Sequence, residues 1–157
     1  MDIKLRKAKR KDCELILDMQ LTSFADLLET YQDYDISPGN ETIDSIHRRY
    51  DQDFTDYHLI EYDSNTVGAV RVIRIERENA CRISPIFILP EFQGKNIAQN
   101  VFKLLEDYYR EYRIWRLDTI LQEVGNCYLY EKLGYEQTGE YEEIKAGMTI
   151  VYYEKSL

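Results

Sequence analysis

The segment from Ile86 to Ala98 carries the residues whose types and order most clearly indicate binding chemistry. Its apolar half predicts a strand that passes through a short turn directly into a helix. The first N–H groups of a helix lack partners within the helix and lie at the positive end of its dipole, so such a turn can bind phosphate. Gly94 and Ala98 let phosphate oxygens approach the backbone, and Lys95 adds a positive charge. These residues predict a phosphate site, with an ordinary strand–turn–helix connection as the alternative.

Two short motifs resemble signatures of the GNAT superfamily of N-acetyltransferases. The first signature is Gln/Arg-x-x-Gly-x-Gly/Ala after a strand that ends in proline, and here Pro90, Gln93 and Ala98 match it. Asn96 stands at the usual middle glycine, and Asn is the residue other than glycine that best tolerates left-handed backbone geometry. The second motif, residues 129–135, reads Leu-Tyr-Glu-Lys-Leu-Gly-Tyr and matches the family's Leu-Tyr-Glu-Lys-Leu-Gly-Phe except at its end.

The resemblance implies acetyl-CoA as co-substrate and assigns parts of the chain to it. The backbone of Ile86, Phe87 and Ile88 would bind the pantetheine arm like an added strand. This strand would splay from its neighbour at a bulge, which suits Pro85 because proline cannot donate to a strand ladder. Backbone N–H groups that would hold the pyrophosphate belong to Gln93, Gly94, Lys95, Asn96, Ile97 and Ala98.

The resemblance also places Tyr130 beside the departing sulfur of the cofactor. A thiol has a pKa of about 8.5 and a tyrosine one of about 10, so a tyrosine hydroxyl can protonate that sulfur or stabilise it. Glu123 is the candidate general base, because it follows a predicted strand where the central strands should part. The family often has a cofactor-contacting asparagine seven residues before this tyrosine, so Glu123 or Asn126 could meet the cofactor arm. A packing role for Tyr130 and a surface position for Glu123 are the alternatives.

His47 and His58 are chemical alternatives as a base, since histidine titrates near neutral pH. A non-catalytic role is expected for both, and neither belongs to a metal-ligand spacing. The chain has no Gly-x-Ser-x-Gly or Cys–His motif for a covalent acyl-enzyme. We therefore predict direct acetyl transfer to an amine, without a metal.

The elements that must position these residues predict an α/β, GNAT-like mixed sheet in a single domain over residues 1–157. The predicted order is β-α-α-β-β-β-α-β-α-β-β, with a splayed central strand pair. The unit 83–121 is strand–helix–strand, which implies parallel pairing, whereas the flanking hairpins imply antiparallel pairing. Predicted strands cover residues 2–8, 57–62, 66–77, 83–89, 115–121, 135–141 and 148–155. Predicted helices cover residues 12–28, with a break near Thr22 and Ser23, and residues 41–50, 95–112 and 126–133.

The acidic residues are concentrated in one stretch. The chain of 157 residues has 20 Lys and Arg against 29 Asp and Glu, a net charge of −9 that disfavours a nucleic-acid partner. Residues 25–63 hold 11 acidic and two basic residues, which is the whole net charge, together with five tyrosines. The resemblance implies that the first two helices and their loop, from Thr22 to Tyr50, form the acceptor side. Because carboxylates and tyrosine rings attract cations, we predict a cationic acceptor such as a polyamine, an amino sugar or a peptide amine. An acidic face that is merely solvated is the alternative.

The remaining composition bears on location and partners. Three widely spaced cysteines, no bilayer-length apolar run and no secretory signal predict a cytoplasmic protein without a membrane partner. The final predicted strand, 148–155, would support a homodimer if it lies at a sheet edge. Two other functions are open at this point: a CoA-binding sensor without turnover, and an interaction domain whose acidic face binds a basic protein.

Overall fold

The computed structural model describes residues 2–157. The elements follow the predicted order, and the mixed α/β class is confirmed. The helices are α1 (Cys13–Tyr31), α2 (Ile43–Tyr50), α3 (Ile97–Tyr108) and α4 (Val124–Lys132). The strands are β1 (Ile3–Lys7), β2 (Thr55–Tyr62), β3 (Asn65–Ile75), β4 (Ala80–Ile88), β5 (Ile114–Ile120), β6 (Glu136–Lys145) and β7 (Met148–Ser156).

All seven strands form one sheet in the order β1-β2-β3-β4-β5-β7-β6. Neighbours run antiparallel except β4 and β5, which are parallel because α3 crosses over between them. Pairing of β4 with β5 ends at Arg82 and Arg116, although β4 continues to Ile88 and β5 to Ile120. The two strands therefore part in the middle of the sheet, as predicted. We call the space between residues 84–88 of β4 and 117–120 of β5 the central cleft.

A bulge in β4 accompanies this separation. The register of β3 against β4 shifts between Val70 and Val72, so Ser84 and Pro85 together face Arg71. An extra residue bends its strand, and Pro85 lacks the N–H that a ladder would use. Nη1 of Arg71 donates to the carbonyl of Ser84 at 2.9 Å. Pro85 thus lies where β4 turns away from β5, as the sequence predicts.

Helices cover both faces of the sheet, because strand residues alternate between faces and helical residues recur on one side. Beneath α3 and α4, the larger apolar cluster includes Phe102, Leu105 and Trp115. Beneath α1 and α2, a second cluster joins Ile16 and Ile46 to β2, β3 and the end of β4. That second cluster contains no residue of β5, β6 or β7, so the apolar core beneath α1 and α2 does not extend over those strands.

Several predicted bounds are wrong, among them the end of the helix predicted over residues 95–112, which stops at Tyr108; the final strand does not lie at a sheet edge. Helix α1 continues through Thr22 and Ser23, since its buried side supplies more stability than two polar residues remove. Helix α3 begins at Ile97 rather than at residue 95, because Asn96 has a left-handed backbone, with φ 62° and ψ 21°. Strand β7 lies between β5 and β6, so it cannot pair across a dimer; the sheet edges are β1 and β6.

Within residues 2–157, no helix is both long enough and apolar enough to cross a membrane. Cys13, Cys81 and Cys127 are free thiols buried in the core. The same residues contain no group of three or more histidine, cysteine or acidic side chains arranged to hold a metal ion.

Candidate active site

The backbone of β4 beyond the bulge forms one wall of the central cleft. The N–H of Leu89 donates to the carbonyl of Val67 at 2.8 Å, and bonded pairs alternate along antiparallel strands. Phe87 therefore turns its polar backbone groups toward β3, whereas Ile86 and Ile88 turn theirs toward the cleft. An amide of pantetheine can pair with Ile86 and Ile88 as an added strand would. The prediction for Phe87 is corrected, because its backbone faces β3 and its side chain packs beneath α1.

The turn before α3 presents a row of unused donors. The backbone N–H groups of residues 94–99 donate to no backbone carbonyl among residues 2–157. Gln93 differs, because its N–H donates to the carbonyl of Pro90 at 3.2 Å. Its side-chain amide donates to the carbonyl of Ile88 at 2.9 Å, which holds the turn against the end of β4. The donors available to a phosphate therefore begin at Gly94, one residue later than predicted.

The backbone shape of this turn also suits a pyrophosphate. Gly94 has φ 78°, and a Cβ built there would meet no atom within 4 Å, so the turn is open on that side. Asn96 takes the left-handed conformation for which the family signature uses glycine, and its carbonyl accepts a 2.8 Å bond from the Asn100 side chain. Free donors, open space and the exposed Lys95 together fit the phosphate groups of CoA.

Tyr130 lies on α4 beneath the sheet and is 8 % exposed. Its ring packs edge-on against Phe102, Tyr135 and Tyr153, with centroids 5.8 to 6.3 Å away. Burial raises the pKa of Tyr130 to about 12, and the charge of Asp118 adds to the rise. A tyrosine with a raised pKa keeps its proton at neutral pH, which is the form that a proton donor needs.

Glu123 lies at the corner between β5 and α4, where it meets the end of α1. The hydroxyl of Tyr31 donates to Oε2 of Glu123 at 2.6 Å, and this bond raises the pKa of Tyr31 to about 12. Nζ of Lys145 donates to the carbonyl of Tyr31 at 2.7 Å, which ties the same helix end to β6. Asn126 lies in the first turn of α4, and its N–H donates to the Glu123 carbonyl at 3.1 Å. The predicted base thus lies beside the end of α1, which belongs to the acidic stretch 25–63.

Sequence reasoning did not single out Asp118, which lies on β5 at the mouth of the central cleft. It is two residues past Arg116, the last residue of β5 that pairs with β4. Its Oδ1 lies 3.3 Å from Nη1 of Arg82, and burial raises its pKa while Arg82 lowers it. The sequence signal for Asp118 was an acidic residue between two residues that the structure buries, Leu117 and Thr119. Strand alternation places such a residue on the outer face but does not show what it faces.

The histidines lie elsewhere. His58 is buried on β2, and its Nε2 is 2.6 Å from the hydroxyl of Tyr109. That hydroxyl donates to Asp56 at 2.8 Å. A hydroxyl donates only one proton, so His58 is the donor in its own contact. His47 lies in the last turn of α2, which packs against α1 and β2.

Comparisons with known proteins agree with this fold. The family model described as an acetyltransferase (GNAT) domain matches residues 27–157. Spermidine N(1)-acetyltransferase of Escherichia coli K12 is 25% identical over 141 residues, which are 88% of this chain and 75% of that protein. Spermidine N-acetyltransferase from Vibrio cholerae, in complex with CoA and spermine, has a TM-score of 0.78 at 20% identity, with 98% of this chain and 95% of that chain covered. RimL, a ribosomal alpha-N-protein acetyltransferase in complex with CoA, has a TM-score of 0.77 at 15% identity, with 99% and 94% covered.

The matching family model, together with the splayed parallel strand pair and the turn of free N–H groups, identifies a CoA-dependent acyltransferase. The chain belongs to the GNAT acetyltransferase family, whose model covers most of its length. It is an N-acetyltransferase with acetyl-CoA as co-substrate. The two alternatives without turnover, the sensor and the interaction domain, are not favoured.

Proposed function

We propose that this enzyme acetylates a polyamine, with spermidine or spermine as the acceptor. Support comes from the acidic stretch in the sequence and from the likeness to spermidine acetyltransferases. The observation that carries the proposal is the 2.6 Å bond between Tyr31 and Glu123. It brings the end of α1, where the acidic stretch continues, to the corner beside the central cleft.

The acidic stretch is not uniformly free to bind a cation. Glu41 pairs with Arg49, and Asp51 pairs with Arg10 at 3.2 Å. Asp33 and Asp35, by contrast, form no ion pair among residues 2–157. Uncompensated charge therefore lies at the end of α1 and in the turn that follows, as well as at Asp44, Asp53 and Asp63 farther along the stretch. At the end of α1 an extended cation with several ammonium groups would find repeated carboxylate partners.

The proposed site residues divide into two groups. The cleft-facing backbone of Ile86 and Ile88 and the N–H groups from Gly94 onward bind CoA, with Gln93 holding the turn. Tyr130 gives its proton to the departing sulfur. Glu123 is the base that the sequence predicts, but it is not assigned that role here, and Asn126 is a predicted contact to the cofactor arm.

A panel of acceptors tests the substrate. Release of the CoA thiol is measured with spermidine, spermine, putrescine, glucosamine and a peptide that offers lysine and N-terminal amines. We expect kcat/KM for spermidine or spermine to exceed that for the peptide by at least about tenfold. A polyamine has several ammonium groups, and each can form an ion pair with a carboxylate of the enzyme. Higher kcat/KM for the peptide would overturn the proposal.

Charge reversal tests the acidic surface. The double variant Asp33→Lys/Asp35→Lys is expected to raise KM for spermidine by about tenfold or more, with KM for acetyl-CoA within about twofold. The matched control is Glu14→Lys/Asp18→Lys, which makes the same charge change on the exposed side of the opposite half of α1. Asp18 lies about 20 Å along the helix from Tyr31, beyond a Debye length in physiological salt. Equal effects of the two double variants would show that net charge, rather than a site, governs KM.

We also propose that the enzyme forms an oligomer and is located in the reducing environment of the cytoplasm. A dodecameric structure exists for the Vibrio cholerae spermidine N-acetyltransferase, and we propose that copies of this chain also associate, at least as a homodimer. Strand β7 cannot pair edge to edge with a second copy because it lies inside the sheet. Light scattering measures the size of the assembly. Three buried free thiols support a cytoplasmic location.

A further inference from the structure

We propose that Asp118 takes the proton of the acceptor ammonium at the mouth of the central cleft. This inference rests on the proposed amine acceptor, but on no particular amine. It gives the catalytic base to a residue on β5 rather than to Glu123, the base predicted from the sequence.

The position of Asp118 follows from the end of the strand pairing. Arg82 and Arg116 form the last aligned pair of β4 and β5, and Asp118 is the next residue of β5 on the same face. That face is turned away from α3 and α4, because the adjacent Leu117 packs in their cluster. No β5 residue takes part in the core beneath α1 and α2. Asp118 therefore lies where the two strands open, on the side from which an acceptor would enter.

The surroundings of Asp118 leave it accessible to an amine. Its side chain is 36 % exposed, and its one ion-pair partner among residues 2–157 is Arg82. Arg116, the other nearby cation on this face, already pairs with Glu78 at 2.9 Å and Glu154 at 3.0 Å. One oxygen of Asp118 thus meets Arg82, and the other is free for an ammonium.

Within the described part of the chain, Arg82 is the one charged group that shifts the pKa of Asp118, while Tyr152 on β7 is its partner in the strand ladder and Tyr130 on α4 lies within reach of its charge. Arg82 contributes a cation from β4, and its guanidinium carbon lies 6.0 Å from the ring centre of Tyr152 on β7. The charge of Asp118 helps to raise the pKa of both Tyr152 and Tyr130. The pKa is lowered for Asp51, Asp56 and Glu78 but raised for Asp118. A carboxylate with a raised pKa is a stronger base and can still be ionised at neutral pH.

The proton balance closes with Tyr130 as the acid. The acceptor ammonium gives one proton to Asp118 and becomes a free amine. Its nitrogen forms a bond to the thioester carbon, and the bond from that carbon to sulfur breaks. Tyr130 gives its proton to the sulfur and takes one back from the new amide nitrogen. Asp118 releases its proton to water, so an ammonium and a thioester yield an amide, a thiol and one proton.

The experiment compares two variants that each remove one carboxylate. With the best amine of the panel, Asp118→Asn is expected to lower kcat/KM by about 100-fold or more, whereas Glu123→Gln lowers it by less than about tenfold. Calorimetry should give the same Kd for acetyl-CoA in both variants within about threefold, which shows that both are folded. A loss confined to Glu123→Gln would overturn the proposal and support Glu123.

The pH profile separates a base from a structural ion pair. Because Arg82 lowers the pKa of Asp118, Arg82→Gln should move the acid limb of kcat/KM to higher pH. Asp118→Glu, which keeps the carboxylate, should recover part of the rate and retain an acid limb. If Arg82→Gln reproduces the loss seen in Asp118→Asn and leaves the limb in place, Asp118 serves only the ion pair.

A titration without any acceptor keeps this inference separate from the choice of substrate. NMR of the side-chain carboxyl carbons should show one aspartate with a pKa above the ordinary value of about 4. This titration should be absent in Asp118→Asn, and its pKa should be higher in Arg82→Gln. An ordinary value for Asp118 would overturn the inference even if polyamines are acetylated. A peptide preference in the panel would overturn the polyamine proposal and leave Asp118 to be tested with the peptide.

Discussion

At the scale of single residues, chemistry depends on which way a side chain or backbone group faces. The sequence motif is enough to propose Tyr130 as the proton donor, because the resemblance places a tyrosine hydroxyl beside the departing sulfur. The sequence could not predict that the backbone of Phe87 faces β3 while the backbones of Ile86 and Ile88 face the cleft. These directions depend on which residue pairs of β3 and β4 are hydrogen-bonded. Asp118 was missed for a related reason: alternation shows that it faces outward, but only the end of the β4–β5 pairing shows that it faces the cleft.

The role of Tyr130 is tested by the variant Tyr130→Phe, which removes one oxygen from a packed ring. We expect kcat to fall by about 100-fold, because the thiolate then leaves without a proton donor. The Kd for acetyl-CoA should stay within about threefold, since the aromatic contacts to Phe102 and Tyr153 remain. Assays of thiol release measure kcat, and calorimetry measures the Kd for acetyl-CoA.

The matched control is Tyr128→Phe on the same helix. Tyr128 is 70 % exposed, so loss of its hydroxyl should change neither kcat nor Kd. An unchanged kcat in Tyr130→Phe would reduce Tyr130 to a packing residue, which was the alternative at the level of the sequence.

At the scale of elements, hydrophobic periodicity was sufficient to order strands and helices, but not to locate every boundary or neighbour. The start of α3 was misplaced because a left-handed residue ends the turn. The position of β7 was missed because strand order within a sheet depends on contacts between distant segments. β7 pairs on both sides, with β5 and with β6, and no local pattern distinguishes such a strand from one at the edge.

The turn before α3 yields a prediction about Asn96. This residue stands where the family signature has glycine, and its φ is 62°. Asn96→Gly should keep the Kd for acetyl-CoA within about twofold, because glycine adopts the left-handed conformation freely. Asn96→Ala should destabilise the fold by about 1 kcal/mol and weaken acetyl-CoA binding, because a Cβ without a polar group is unfavourable there. Urea denaturation and calorimetry measure these effects. If alanine and glycine behave alike, backbone conformation at residue 96 does not shape the phosphate site.

At the scale of the whole molecule, stability and charge are linked through buried groups far from the cleft. His58 is buried beside Tyr109 and Asp56, where burial lowers its pKa to about 4. Asp56, which accepts from Tyr109 and pairs with Arg74 at 3.2 Å, has a lowered pKa. The network that joins β2, β3 and the end of α3 is therefore built for a neutral histidine and an ionised aspartate.

The sign of the pH effect follows from proton uptake. An unfolded histidine has a pKa of about 6.5, whereas His58 in the fold takes a proton only near pH 4. Between these values the unfolded chain binds more protons than the folded one, so the free energy of unfolding falls as the pH falls. The loss begins near pH 6.5, amounts to about 3 kcal/mol by about pH 4, and adds to the later loss from protonation of Asp56.

The variant His58→Gln isolates this contribution. A glutamine amide can still donate to Tyr109, but it does not titrate, and His47 is present in both proteins. Urea denaturation at pH 7 and about pH 4 should show that the wild-type protein loses about 3 kcal/mol more than the variant. The variant can be less stable at pH 7 because its shape differs, so the test is the difference between the two pH values. Equal losses in both proteins would mean that His58 is protonated within the fold, and that the Tyr109–Asp56 pair accommodates a charged histidine.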